Sequence, residues 1–145
     1  METESKMSEI FEIDVGELEW FLEITETFVT NVMKDIKNKE LKKEELPEIF
    51  EDLERRMFKL NFLHTLISAK AVRYRLDNKE LIGFVNSTEP DLFHTWNIAT
   101  DAKVAFKENP NRDMKEAYNY LKKIRFFIKE IRKRLKDAIK RNLFI

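Results

Sequence analysis

The strongest constraint on this chain is the periodicity of its last third, residues 111–145. Apolar side chains fall there at Ala117, Leu121, Ile124, Ile128, Ile131, Leu135 and Ala138. Steps of four and three gather side chains on one stripe of an α-helix. A strand, whose side chains alternate from face to face, would scatter them. A helix this one-sided gains little by itself and draws its stability from packing, so the rest of the chain has to cover its seam.

The preceding residues offer partners of the same kind. A first helix is predicted over residues 15–38, with Leu18, Phe21, Leu22, Thr25, Phe28, Val29, Val32, Met33 and Ile36 in an i, i+3, i+4 stripe. Its acids come first and its lysines last, which suits the helix dipole. After a charged connector, Leu46-Pro47 opens a long second helix over residues 47–76, proline being tolerated in a first turn. One face of it carries Ile49, Phe50, Leu53, Met57, Leu60, His64, Ile67, Ala71 and Tyr74. A second stripe of Phe58, Phe62, Leu66, Ala69 and Leu76 calls for either an internal cover or a partner.

Asp77-Asn78 breaks the pattern, and residues 79–86 read as a turn or loop that caps the bundle and covers the second stripe. Ser87-Thr88-Glu89-Pro90 carries a hydroxyl N-cap with Glu and Pro behind it, so a third helix is predicted from there to Lys107, with Leu92, Phe93, Trp96, Ala99 and Val104 as its apolar positions. Two glycines and three prolines are too few turn residues for a β-rich fold. The expectation is an all-α, antiparallel four-helix bundle with a long basic C-terminal helix. It forms one domain over residues 15–145, preceded by an irregular N-terminal arm over residues 1–14, whose Ile10, Phe11 and Ile13 can dock on the domain edge.

Composition narrows the function. Bases and acids are equal at 27 each, but residues 1–54 hold 17 acids against 6 bases and residues 55–145 hold 10 acids against 21 bases. The halves therefore differ in sign. Cysteine is absent, which excludes a disulfide framework, a thiolate zinc site and a cysteine nucleophile. Glutamine is absent too and 37% of residues are charged, a thermophile-like balance that the ten asparagines oppose. No apolar run reaches the roughly 18 residues of a membrane span, and the acidic start is unlike a signal peptide. A soluble, cytoplasmic protein with no membrane partner is expected.

Catalytic and metal chemistry find few players. Asp91-Leu92-Phe93-His94 is the nearest approach to the Glu-x-x-His spacing that aims a carboxylate and an imidazole at one ion, and it lacks further ligands. His64 lies on an apolar face, where a hydrogen-bonded core histidine is the ordinary outcome. No serine or threonine sits in a nucleophile elbow, and no glycine-rich loop cradles phosphate. The expectation is a protein that is not an enzyme and takes no cofactor.

Two charged features remain. Glu44, Glu45, Glu48, Glu51, Asp52 and Glu54 crowd the start of the second helix beyond what its dipole asks for, and they repel one another at i, i+4. Such a surface resembles the phosphate track of DNA and suits a basic cleft, though an acid-rich helix start alone would also account for it. On the last helix, Lys122, Arg125, Lys129, Arg132, Lys133, Lys136 and Lys140 flank the apolar seam, and Phe126 lies nearly opposite that seam. A basic stripe with an exposed aromatic is a footprint for nucleic acid or an acidic protein surface. The competing reading is a solvated face paired with the acidic first half. The candidate partner-binding residues are thus Glu44, Glu45, Glu48, Glu51, Asp52, Lys122, Phe126, Lys129, Arg132, Lys133 and Lys136.

A cysteine-free chain of this size, with four helices, an irregular arm, a long basic last helix and a thermophile-like composition, resembles the coat-protein-type helical bundles of filamentous and two-tailed archaeal viruses. In length and charge layout it is most similar to the branch that inhibits host RNA polymerase in the Acidianus two-tailed virus. The resemblance is one of architecture over residues 15–145. It implies a non-enzymatic protein that binds the DNA-loading channel of the archaeal polymerase and blocks transcription. The acidic first half makes direct DNA binding weak or absent. A virion structural or nucleic-acid-binding bundle, using the basic last helix, is the alternative. Oligomeric state is left open by the second stripe and by the apolar tail Leu143-Phe144-Ile145.

Overall fold

The apolar stripes become four helices in a computed structural model of the chain, which describes residues 2–145, and for residues 2–8 the backbone alone. They are α1 (Glu2–Lys37), α2 (Leu46–Tyr74), α3 (Lys79–Glu108) and α4 (Met114–Lys140), with a single 3-10 turn at Lys43–Glu45 and no strand among the described residues. α1 packs on α2 and α4, α2 on α3, and α3 on α4, so neighbours in sequence are neighbours in space and the ring closes between α4 and α1. The start of α2 lies beside the end of α3, where Glu54 meets Lys103 at 2.9 Å. The start of α3 lies beside the end of α4, where Glu80 meets Arg141 at 3.0 Å.

Every residue of the α4 seam is buried, from Ala117 to Ala138. It faces Leu18, Leu22 and Val29 of α1, Phe50, Leu53, Met57 and Leu60 of α2, and Leu92, Ala99 and Phe106 of α3 within one core. Phe50 stacks on Phe106 with ring centroids 5.2 Å apart, and Tyr120 meets both edge-on. Each fully buried Leu or Phe contributes on the order of 2 kcal/mol, and a bundle without cysteine rests on that sum.

The helix ends follow local chemistry. Asn78 caps α3 by accepting from the Leu81 N–H at 3.1 Å, and Asp113 caps α4 by accepting from the Lys115 N–H at 3.0 Å. α1 and α4 close with left-handed residues, Lys39 at φ 59° and Asn142 at φ 57°. In each case the next N–H reaches back to satisfy an orphan carbonyl, Glu40 to Asp35 and Leu143 to Ala138.

Three expectations change. Where an irregular arm is expected over residues 1–14, α1 is helical from Glu2 and runs unbroken past Val15; Met1 lies outside the described residues. Phe11 is buried against Phe144 of the tail at 5.8 Å. Asp14, also buried, binds Lys70 of α2, whose ammonium donates to the Ile10 carbonyl as well. Residues 79–86 are the opening turns of α3 rather than a separate cap, and Ser87 to Pro90 lie inside that helix. The hydroxyls of Ser87 and Thr88 instead donate to the Phe84 carbonyl one turn back. The second stripe of α2 stays largely uncovered: Phe58, Phe62, Ala69 and Leu76 are exposed, as are Tyr74, Phe93 and Val104.

Candidate partner-binding surfaces

Five of the six acids that crowd the start of α2, all but Glu54, line one open groove of about 730 Å³ between α2 and α1. Glu44 and Glu45 come from the 3-10 turn, Glu48, Glu51 and Asp52 from the first turns of α2, and Phe28, Pro47 and Ile49 complete the lining. Spacing by three and four along the helix puts the carboxylates on one side. Glu51 and Asp52 are partly neutralised by Arg55 at 3.2 Å and Arg56 at 3.4 Å, one turn on. Glu45 accepts from the Lys42 N–H at 3.3 Å, whereas Glu44 and Glu48 have no ion-pair partner among the described residues. Glu54 turns away toward α3, where the Lys103 hydrogen bond holds its carboxyl below the ordinary value. Sequence reasoning finds the acids but misses Phe28, whose ring lies under the Arg56 guanidinium at 4.4 Å; a contact between helices leaves no local signal.

On α4, Lys122, Lys129, Lys133, Lys136 and Lys140 are exposed on one side, and none has an ion-pair partner among the described residues. They cover about 27 Å of helix at 1.5 Å per residue. Phe126 stands among them, 58% exposed, with its ring edge on Phe127. Arg132 departs from the stripe. It turns inward and binds Glu26 of α1, leaving its side chain 19% exposed. Arg134 likewise binds Asp91 of α3 and donates to the Ser87 carbonyl at 2.9 Å. The two arginines hold α4 to its neighbours while the five lysines face outward.

The remaining chemical candidates have structural partners. His64 is buried with Nε2 2.6 Å from Thr88 Oγ1, and burial pushes its pKa from 6.5 down to about 4. Because the Thr88 hydroxyl donates to Phe84, the imidazole N–H is the donor in the His64 contact. Asp91 is committed to Arg134, and His94 sets its ring 5.0 Å from Phe127. Among the described residues no group of three His, Asp or Glu side chains is placed to hold a metal.

A further surface was only half visible in the sequence. Phe58 of α2 meets Trp96 of α3 at 5.6 Å, and Phe93 meets the same indole at 6.2 Å, with Phe62 exposed one turn along α2. The stripe on α2 is legible in its spacing, but Phe93 reads there as core.

Fold and surfaces together define an all-α four-helix bundle that carries one acidic groove and one lysine-lined helix face. No family model matches the chain, and comparison with curated proteins and with solved structures returns no match either. No described helix is long and apolar enough to cross a membrane.

Proposed function

We propose that this protein is a non-enzymatic inhibitor that seats in the DNA-binding channel of an archaeal RNA polymerase and blocks transcription. The observation that carries the reading is the acidic groove, where Glu44, Glu45, Glu48, Glu51 and Asp52 present carboxylates beside Phe28, Pro47 and Ile49. A channel that holds DNA is lined with cations, and clustered carboxylates complement it as phosphates do. Apolar side chains beside the charges supply the anchoring that charge alone lacks. The likeness in architecture to polymerase-inhibiting bundles of archaeal viruses supports the choice of partner, and a viral, thermophilic source belongs to the same proposal.

The test is promoter-directed transcription by purified archaeal RNA polymerase with and without stoichiometric protein. Inhibition is expected, weakening as salt rises. Replacing Glu44, Glu45, Glu48 and Glu51 by Gln should relieve it without loss of helicity. Equal transcript yield with and without the protein would sink the proposal.

The exposed Phe126 among unpaired lysines favours a second reading, a virion or nucleic-acid-binding bundle that uses α4. Filter binding to duplex DNA at two salt concentrations separates the two, since phosphate contacts give a steep salt slope.

A further inference from the structure

The backbone ladder of α3 is interrupted at Pro90, which has no N–H, so the Asn86 carbonyl loses the donor that an unbroken helix supplies. The residues before it loosen the helix further. Ser87 and Thr88 turn their hydroxyls back on the Phe84 carbonyl at 3.0 and 2.9 Å, and Thr88 also reaches the Val85 carbonyl at 3.3 Å. Hydroxyls that bond back along a helix weaken and bend it, and proline is among the usual causes of a kink.

Three side chains from outside α3 span the break. The Arg134 guanidinium of α4 donates to the Ser87 carbonyl at 2.9 Å and, from its other nitrogen, to the Asp91 carboxylate, so it grips α3 on both sides of Pro90. From α2, His64 donates to Thr88 at 2.6 Å and Asn61 to the Leu92 carbonyl at 3.2 Å. Space is left on either side of the joint. An open groove of about 290 Å³ separates Gly83 and Ser87 from Asp137 and Arg141 of α4, and one of about 420 Å³ separates Glu89 and Pro90 from Asn61 and Thr65 of α2.

We propose that α3 is a jointed helix, with Pro90 as its joint and Arg134 as its latch, and that residues 79–89 open as a unit when the latch releases. Opening withdraws Phe84 from Phe144 and uncovers the end of the bundle that Leu143 and Phe144 close. Beyond the joint α3 stays in place, because Leu92, Ala99, Ala102 and Phe106 are fully buried and Phe106 stacks on Phe50. Of the contacts that span the break, the latch is the one open to its surroundings. The Arg134 and Asp91 side chains are 34% and 28% exposed, so salt reaches them, whereas the His64 contact is buried.

Native-state hydrogen exchange of the full chain, resolved residue by residue, tests the joint. In the wild type, amides of residues 82–89 are expected to exchange through an opening that leaves residues 95–106 protected. Arg134→Met keeps the apolar stem and removes the fork, and should speed exchange over residues 82–89 roughly tenfold while leaving residues 95–106 unchanged. Pro90→Ala returns the missing N–H, so in that background Arg134→Met should act no more than about threefold, as an ordinary surface pair does. High salt should imitate Arg134→Met in the wild type, which keeps the test decisive if that variant loses helicity. Equal protection on both sides of Pro90 in the wild type overturns the proposal. So does an Arg134→Met effect spread evenly over all four helices, or one that Pro90→Ala leaves undiminished.

Discussion

His64 Nε2 and Thr88 Oγ1 lie 2.6 Å apart in the buried seam between α2 and α3. The pair satisfies the imidazole N–H inside the core and ties the middle of α2 to α3. Desolvation disfavours the imidazolium there, so the folded protein takes up its proton near pH 4 where a free histidine does so at 6.5. Through that window the unfolded chain binds a proton that the folded one refuses. Stability is therefore complete above pH 6.5 and declines as the pH falls toward about 4. The loss is roughly 3 kcal/mol from this group. Urea unfolding of wild type and His64→Gln at both ends of the window checks it. Glutamine keeps an N–H for Thr88 and does not titrate, so the variant should lose less than the wild type; parallel losses would exclude His64 as the cause.

Arg132 and Glu26 join α4 to α1 with side chains only 19% and 15% exposed. Removing one partner from such a pair strands a charge away from water. Arg132→Met alone should cost about 3 kcal/mol, and adding Glu26→Leu should recover most of it, because the apolar pair needs no solvation. Denaturant midpoints of the two variants provide the measurement. A neutral Arg132→Met would show that Glu26 reaches solvent without its partner.

Neither contact leaves a local signal in the sequence, because each joins residues far apart along the chain. The α4 seam was legible in full, since burial of Leu121, Ile124, Ile128, Ile131 and Leu135 follows from spacing alone. The α1 stripe follows its spacing in the same way, with Leu18, Leu22, Val29, Val32 and Met33 buried. Spacing alone puts Arg132 on the outward stripe because its angular position sits at the seam's edge, and only the presence of Glu26 across the interface decides that it turns inward. Ser87 to Pro90 imitates a helix start, yet Leu81, Phe84, Val85 and Thr88 are all buried, and packing carries the helix through the proline. The helical start of α1 was hidden because Asp14 interrupts the apolar run. Its burial depends on Lys70, 56 residues away. Of the candidate site, the acids and the lysines were legible as local composition, whereas the groove around Phe28 and the α2–α3 aromatic face depend on which helices lie side by side.

Phe11 ties the first helix to the last residues of the chain. Its ring is 1% exposed and lies 5.8 Å from Phe144, which in turn meets Phe84 at 5.7 Å. Three rings from three parts of the sequence close one end of the bundle. Phe11→Ala should open a cavity there and cost about 3–4 kcal/mol. Thermal unfolding followed by circular dichroism checks the loss. A change within about 0.5 kcal/mol, as at an ordinary surface site, would mean that this end of the bundle is not held by Phe11.

The α4 lysines are expected to behave in the opposite way. Lys129, Lys133, Lys136 and Lys140 follow one another at spacings of three and four, where like charges repel by about 0.2–0.5 kcal/mol per pair. No acid among the described residues pairs with them. Lys133→Ala with Lys136→Ala should therefore leave the fold intact and raise the melting temperature slightly at low salt. The gain should shrink as salt screens the repulsion of the wild type. If the lysines instead served the fold through pairing with the acidic first half, the same variant would melt earlier at low salt, and high salt would bring the two proteins together from the other side. The sign of the low-salt difference thus decides between a face held for the bundle and a face held, at some cost to stability, for an anionic partner.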